Sequence, residues 1–493
     1  FKLHKLLKTV PDENLTFVAA GCFERISDSG FRRFLSSQNE EFKRDAMKLW
    51  KNNFCGAVIK YIRIGGMSQL VDLGAQYIEK IKEVRRNLKT RSDTTHNLNS
   101  SHFKKLWKNE KGNMMIMTLL ALIDGVSLSG NTNLNLNKLW PLTFSLVDLP
   151  TAEMQRATNM VLHGIAKGTE NPSTTFWNKI VPMVYTDVKG SRHAIGNATI
   201  QFMIDTWIAD QPAKRSLFGF KACNGESSCF YGLCSGTHHK KQGPNRETER
   251  PDELTILDAT NGTNGFGTIP PRIVDFVLPY DTVLDLLHNA AEGIFSIVIR
   301  ESLASESSQP RSDLFQNDRS VYLKFCDEVI VPSQFEVKNI TNCSEKLLFF
   351  RFNFGLAALS NDSLKPEARI KICSLMLILN ILYTKAPSSS NRFFAHLTGA
   401  ARWALEQASP TYMGTKTHEF LCHLPYVIGK FGNIAPLSTV ILHSSIRREI
   451  VIRSRQNPSQ TLSNFMLATP SMREFEISWK NPIKHLEVED QIA

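Results

Sequence analysis

The chain has 493 residues, enough for two or three domains with sizeable cores, and 58 Lys and Arg against 47 Asp and Glu give a formal charge of +11. That excess favours polyanionic partners, although a basic surface also serves solubility alone. The longest apolar run, 374–383 (SLMLILNILY), contains Asn380 and is too short to span a bilayer, and nine cysteines point to free or metal-bound thiols rather than a disulfide frame.

The sequence opens at Phe1 with neither Met nor a basic-then-apolar leader, so it is expected to be a fragment. A reducing compartment makes triplets such as Asn339-Ile340-Thr341 and Asn361-Asp362-Ser363 incidental rather than glycosylated. Residues 1–110 read as a helical, basic N-terminal region. Leu70, Val71, Gly74, Tyr77, Ile78, Ile81 and Val84 recur at helical spacing. Lys80, Lys82, Arg85, Arg86, Lys89 and Arg91 cluster beside them, either as a solvated face or as phosphate contacts. The polar run 90–101 reads as a linker.

The pattern then changes. Residues 114–125 (MMIMTLLALIDG) are a short apolar run without alternation, which predicts a strand buried on both faces that delivers Asp124 at its end. The run 139–149 (LWPLTFSLVDL) predicts a second strand, with Pro141 at an edge or bulge. Residues 151–167 (TAEMQRATNMVLHGIAK) have a capping Thr, an early acid and helical periodicity, so a helix is expected there. A third apolar run, 200–212 (IQFMIDTWIADQP), ends in Asp210. Strand-end aspartates suit a metal site, and they also suit a turn or helix cap. Strands, a helix and a strand with acids on the first and last strands is the order of an RNase H-like core, one option among several α/β folds.

Downstream, Cys229 and Cys234 form a CxxxxC within the range of zinc ligands, with Cys223, His238 and His239 close by. Residues 235–272 are poor in apolar side chains and read as a loop or insertion boundary. Residues 283–300 (VLDLLHNAAEGIFSIVIR) predict a helix carrying His288, and 343–432 predict a helical block broken at 360–366 and 386–391. That block ends in 417–430 (THEFLCHLPYVIGK), with His418 and His423, each of which also fits a satisfied core histidine.

The order of these motifs resembles that of CACTA (En/Spm)-like DDE transposases in the CACTA-Mirage-Chapaev superfamily, over roughly 100–465. The family's Asp-Gly strand end, Leu-Trp-Pro and Leu-Pro are matched by Asp124-Gly125, Leu139-Trp140-Pro141 and Leu149-Pro150. Its Asp-x-Pro-Ala-(Lys/Arg) signature is matched by Asp210-Gln211-Pro212-Ala213-Lys214, and its Asn-Gly with a cysteine pair by Asn224-Gly225, Cys229 and Cys234. An Asp-x-(Met/Leu)-His motif with Glu-Gly is matched by Asp285, Leu287, His288, Glu292 and Gly293, and the paired histidines by His418 and His423.

The resemblance implies metal-dependent cleavage and transfer of DNA strands at transposon ends, with Mg²⁺ or Mn²⁺ between three carboxylates. It also implies an RNase H-like core interrupted by a large, mostly α-helical insertion. The boundaries expected are 1–110, a first core part 111–235, the insertion 236–416, last core helices 417–465 and a tail 466–493. By analogy with the related V(D)J recombinase architecture, Cys229, Cys234, His418 and His423 would hold one structural Zn²⁺; the looser cysteine spacing leaves Cys223 as a competitor. Asp124 and Asp210 match the first two catalytic acids. For the third, family spacing falls near Leu442, His443 or Ile446, none acidic, and the nearest acid is Glu449. Glu449 follows Leu442 on the same helical face but ~10.5 Å along the axis. The basic stretch 447–460 (RREIVIRSRQNPSQ) matches the family's last helix. The expected protein is nuclear, binds DNA as a homo-oligomer and does not enter membranes. Two states stay open, an active enzyme using Asp124, Asp210 and Glu449, or a domesticated copy that binds DNA or acts as a scaffold without catalysis.

Overall fold

Ten residues of apolar character set the centre of the molecule. In a computed structural model they form β2 (Met114–Ile123), buried from Ile116 to its end because both faces of the strand are covered. The structure describes residues 60–63, 66–90, 110–127, 138–154, 159–168, 171–189, 192–221, 229–232, 252–303, 354–360, 364–383, 391–408, 414–437 and 487–489, with a few single positions between them. The protein is mixed α/β.

On one side β2 pairs antiparallel with β4 (Lys138–Leu146), and on the other it pairs parallel with β7 (Ala198–Ala209). β4 pairs antiparallel with β5 (Val161–Gly168), which in turn pairs with β1 (Lys60–Arg63). The short strands β6 (Arg192–Ile195) and β8 (Glu487–Glu489) close the order β6-β7-β2-β4-β5-β1-β8, with β3 (Val126–Ser127) paired to the outer part of β4. Pro141 lies in neither partner ladder on the β2 side: that pairing ends at Leu142 and the β3 pairing begins at Leu139. On its other side Pro141 lies opposite Ile165 of β5. The β4–β5 register shifts between Leu142 and Thr143, so Pro141 flanks a bulge rather than an edge.

The N-terminal region expected to be helical contributes strand β1 (Lys60–Arg63) to the sheet, and two further expected elements differ. The helix expected over 151–167 is only one turn, Thr151–Met154, after which Val161–Gly168 is strand β5. Val161, Leu162, Ile165 and Ala166 are buried, and strands on both sides satisfy its backbone, so tertiary pairing outweighs the local helical signal. The crossover helix to β7 is instead α2 (Thr174–Lys189), which buries Phe176, Trp177, Ile180, Val181, Val184 and Val188. The second difference lies within 235–272, where the expected loop contains α4 (Asp252–Asn261).

Helix α1 (Met67–Thr90) packs Leu70, Leu73, Tyr77 and Ile81 into the core. Arg85, grouped by sequence with the basic cluster, turns inward. Its Nε donates to Asp148 Oδ1 at 3.0 Å, and the guanidinium also pairs with Glu110 and donates to the Ile116 carbonyl. Asp148, fully buried, accepts from the Thr118 amide at 2.6 Å through its other oxygen. The pair thus fastens α1 to β2. Among the described residues no helix is long and apolar enough to cross a membrane. Arg85→Met should strand the Asp148 carboxylate, and an uncompensated buried charge costs about 3–5 kcal/mol. Denaturant unfolding should show a loss of that size, whereas Lys82→Met, removing a partly exposed surface pair, should change stability by under about 1 kcal/mol.

Candidate metal centres

The ladder between β2 and β7 runs to its last pair, Ile123↔Ala209. The next residue on each strand is an aspartate. Parallel neighbours lie ~4.8 Å apart, so Asp124 and Asp210 leave the sheet side by side at the same end. Gly125 follows because a Cβ there would meet Trp140 Nε1 at 2.7 Å, and Trp140 is buried in β4.

Asp210 also caps α3 (Gln211–Phe218), its Oδ1 accepting from the Ala213 amide at 2.7 Å with Pro212 in the first turn. A proline there gives up an N–H that the helix does not use. Gln211 Nε2 donates to Glu419 Oε2 at 3.0 Å, and Lys214 Nζ donates to Tyr231 Oη at 3.0 Å. Every residue of the stretch Asp210-Gln211-Pro212-Ala213-Lys214 therefore has a defined structural task. Lys214 is buried beside the Phe230 and Tyr231 rings, and its desolvation brings the amine down to about 8.

A third side chain joins the aspartates. His288 opens α5, a π-wound segment Leu287–Phe295 continued by the α-helix Ser296–Leu303. One ligand atom from each of Asp124, Asp210 and His288 lies within 4.8 Å of the others. His288 Nδ1 is hydrogen-bonded to Asp285 Oδ2, and the Asp285 carboxylate accepts from the Leu287 amide at 3.2 Å. Burial pushes the Asp210 carboxyl up, Asp124 adds to this, and the result is about 6. For His288, burial would lower the imidazole, but the hydrogen bond and charge of Asp285, with Asp124 and Glu292, carry it to about 9. Sequence reasoning noted His288 and Asp285 as motif residues without placing them at the acids.

The second cluster forms on α8, which runs through Thr415–His418, a π-wound Glu419–His423 and Leu424–Phe431. Cys229 Sγ lies 3.1 Å from His423 Nε2, which lies 3.2 Å from His418 Nε2. All three residues are buried. Zinc bonds of ~2.0–2.3 Å in a tetrahedron imply ligand separations of ~3.3–3.8 Å, so this donor set is near the size of a zinc site. Tyr231 stacks on His423 with ring centroids 5.0 Å apart. Cys234, Cys223, His238, His239 and Glu449 lie outside the described residues.

A family model described as a protein of unknown function, DUF1258, matches residues 40–276, a span that includes Asp124, Asp210 and Cys229 but neither His288 nor the α8 histidines. No curated protein matches the chain.

The raised Asp210 has a stability consequence. Its folded value of about 6 exceeds the ordinary 3.8, so folding favours the protonated form, and stability falls as pH rises from ~4 through ~6. Without added divalent cations, Asp210→Asn should abolish that part of the slope while keeping a cap acceptor. Above pH 6 the variant should be the more stable protein, by at most ~3 kcal/mol. Denaturant titrations at pH 4.5 and 7.5 read the difference directly; a destabilised variant at the higher pH would mean that the acid pair carries no such strain.

Proposed function

We propose that the chain is a transposase-derived, DNA-binding protein of the CACTA-like group, nuclear and acting as a homo-oligomer on DNA. Its ancestral activity is metal-dependent cleavage and transfer of DNA strands at transposon ends. One observation carries the reading: two carboxylates from adjacent, parallel strand ends, Asp124 buried and Asp210 partly buried, meet in a cluster with a buried histidine. Hard oxygen donors on a rigid sheet suit Mg²⁺ or Mn²⁺. Cations bound there would activate water or a 3'-hydroxyl and stabilise the leaving oxygen during in-line attack on a phosphodiester.

The sheet supports an RNase H-like core, because β2, β4 and β5 are antiparallel neighbours and β7, reached across α2, pairs parallel with β2. On this reading 111–235 is the first core part. The helical material of 236–416 is the insertion, including α4, α5, α6 (Pro366–Tyr383) and α7 (Asn391–Ala408), and 417–465 returns to the core. The Cys229, His418 and His423 cluster is a structural Zn²⁺ site, with Cys234 as its fourth ligand, fastening the far end of the insertion to the sheet.

In sequence Glu449 is the acid nearest the family position, and its displacement of seven residues from Leu442 favours a copy that binds DNA without efficient strand cleavage. Binding depends on charge, including Arg447, Arg448, Arg453 and Arg455, and should weaken steeply with salt. Gel-shift titrations across salt concentrations, paired with Mg²⁺ and Mn²⁺ nicking assays, test this. Robust nicking lost in Glu449→Gln would establish an active enzyme with Glu449 as its third acid, and salt-insensitive or absent DNA binding would remove the reading altogether.

For the zinc site, metal analysis of the purified chain should give about one zinc, lost in Cys229→Ser and in Cys234→Ser. Zinc retained in Cys229→Ser refutes the ligand set. Retention in Cys234→Ser alone transfers the fourth position to another donor.

A further inference from the structure

We propose that His288 is the third protein ligand of the cation held by Asp124 and Asp210, making the centre an Asp-Asp-His site that favours Mn²⁺ over Mg²⁺. The inference deepens the reading above and rests on it, since it takes the acid pair as a cation site.

The first support is convergence. The three ligand atoms lie within 4.8 Å of one another although they come from the end of β2, the cap of α3 and the first turn of α5. Residues so far apart in sequence meet here through the fold, not through local chain geometry. The second support is orientation. Asp285 is hydrogen-bonded to the ring at Nδ1. A metal-ligating histidine almost always gives its other ring N–H to a carboxylate, carbonyl or water, which fixes the tautomer and strengthens the ligand. Asp285 is itself buried and held by the Leu287 amide, so the ring has a fixed support.

Ligand chemistry sets the preference. Mg²⁺ demands a near-ideal octahedral shell and is usually held by carboxylates, phosphates and water. An imidazole nitrogen in the first coordination shell shifts affinity toward transition metals. Among ions suited to carboxylates, Mn²⁺ gains from that nitrogen.

Electron paramagnetic resonance of Mn²⁺ added to the full, zinc-bearing chain tests the assignment. Titration of the free-ion signal should show Mn²⁺ bound, lost in Asp124→Asn, and displaced by Mg²⁺ only at much higher concentration. Pulsed spectra of the unaltered protein should carry a nitrogen coupling from a coordinated imidazole. His288→Ala should remove the coupling and weaken Mn²⁺ about 10- to 100-fold, and Asp285→Asn should weaken it about 10-fold with the coupling retained. His288→Asp should narrow the Mn²⁺ to Mg²⁺ ratio. Bound Mn²⁺ without nitrogen coupling in the unaltered protein, or coupling that persists in His288→Ala, overturns the role of His288 and leaves the acid pair as a cation site. If the unaltered protein binds no Mn²⁺, or Asp124→Asn binds it equally well, the cation reading of the acid pair falls and His288 with it. The spectrum of the unaltered protein decides the question even where a variant fails to fold.

Discussion

The parallel register of β2 and β7 is the constraint on which the acid centre depends. Once Ile123 pairs with Ala209, the two aspartates that follow have no freedom to be elsewhere. A shift of one residue would separate them by a strand repeat and turn the side chains to opposite faces. The register is held by burial on both sides: Leu119 to Ile123 and Trp207 to Ala209 are core residues, so no slip is free of an exposed apolar row. Placing like charges together in a buried setting is unfavourable, and the raised Asp210 carboxyl is the electrostatic record of that cost. The N-terminus of α3 and the neighbouring His288 offset part of it, and a cation would offset more.

The acid centre and the Cys/His cluster are not independent. Glu419 is buried next to His418, and its Oε2 accepts from Gln211 Nε2 at 3.0 Å and from Asn289 Nδ2 at 2.7 Å. Gln211 follows Asp210, and Asn289 follows His288. One carboxylate therefore ties α8 to both helices that bear residues of the acid centre. A second link runs through Lys214, hydrogen-bonded to Tyr231, whose ring stacks on His423. In a low-dielectric interior these hydrogen bonds to Glu419 Oε2 stiffen the elements they join, while Glu419 Oε1 is buried without a hydrogen-bond partner among the described residues. An error in either cluster is thus transmitted to the other through two short, charged links rather than through loose packing.

How much of this the sequence discloses varies with the range of the interaction. The strands β2, β4 and β7, and the acids at two of their ends, are legible because a buried strand writes its own apolar run. β5 is not, since Val161, Leu162 and Ile165 fit helical as well as extended spacing and follow a capping Thr; only the pairing with β4 and β1 decides. Helix α2 carries a readable signal in the buried positions Phe176, Trp177, Ile180, Val181, Val184 and Val188, which recur at helical intervals. The cluster of Cys229 with His423 spans 194 residues, and no local pattern states such a contact. It was legible only through the order of motifs. The grouping of Arg85 with its basic neighbours was misleading for a similar reason, because its partner Asp148 lies 63 residues away, just past the end of β4.

Both clusters draw on a π-wound turn, and the winding explains why the residues of α8 can meet. On an α-helix, residues five apart are rotated by ~500°, leaving their side chains ~140° apart around the axis. His418 and His423 would then face different surroundings. The i→i+5 hydrogen bonding of the segment Glu419–His423 widens the turn and returns the fifth residue toward the face of the first, which is how the two Nε2 atoms come within 3.2 Å. In α5 the same winding covers Leu287–Phe295, and it contains a kink at Gly293, with φ −86° and ψ −112°. That ψ lies well outside the helical range, and a Cβ at Gly293 would crowd the His288 carbonyl at 3.3 Å. The glycine thus permits the break within the widened segment while Lys416 of α8 packs against it. A helix of regular pitch would keep His418 and His423 in the same order and turn them to different faces, so the spacing of these two histidines makes chemical sense only with the irregular turn that carries them.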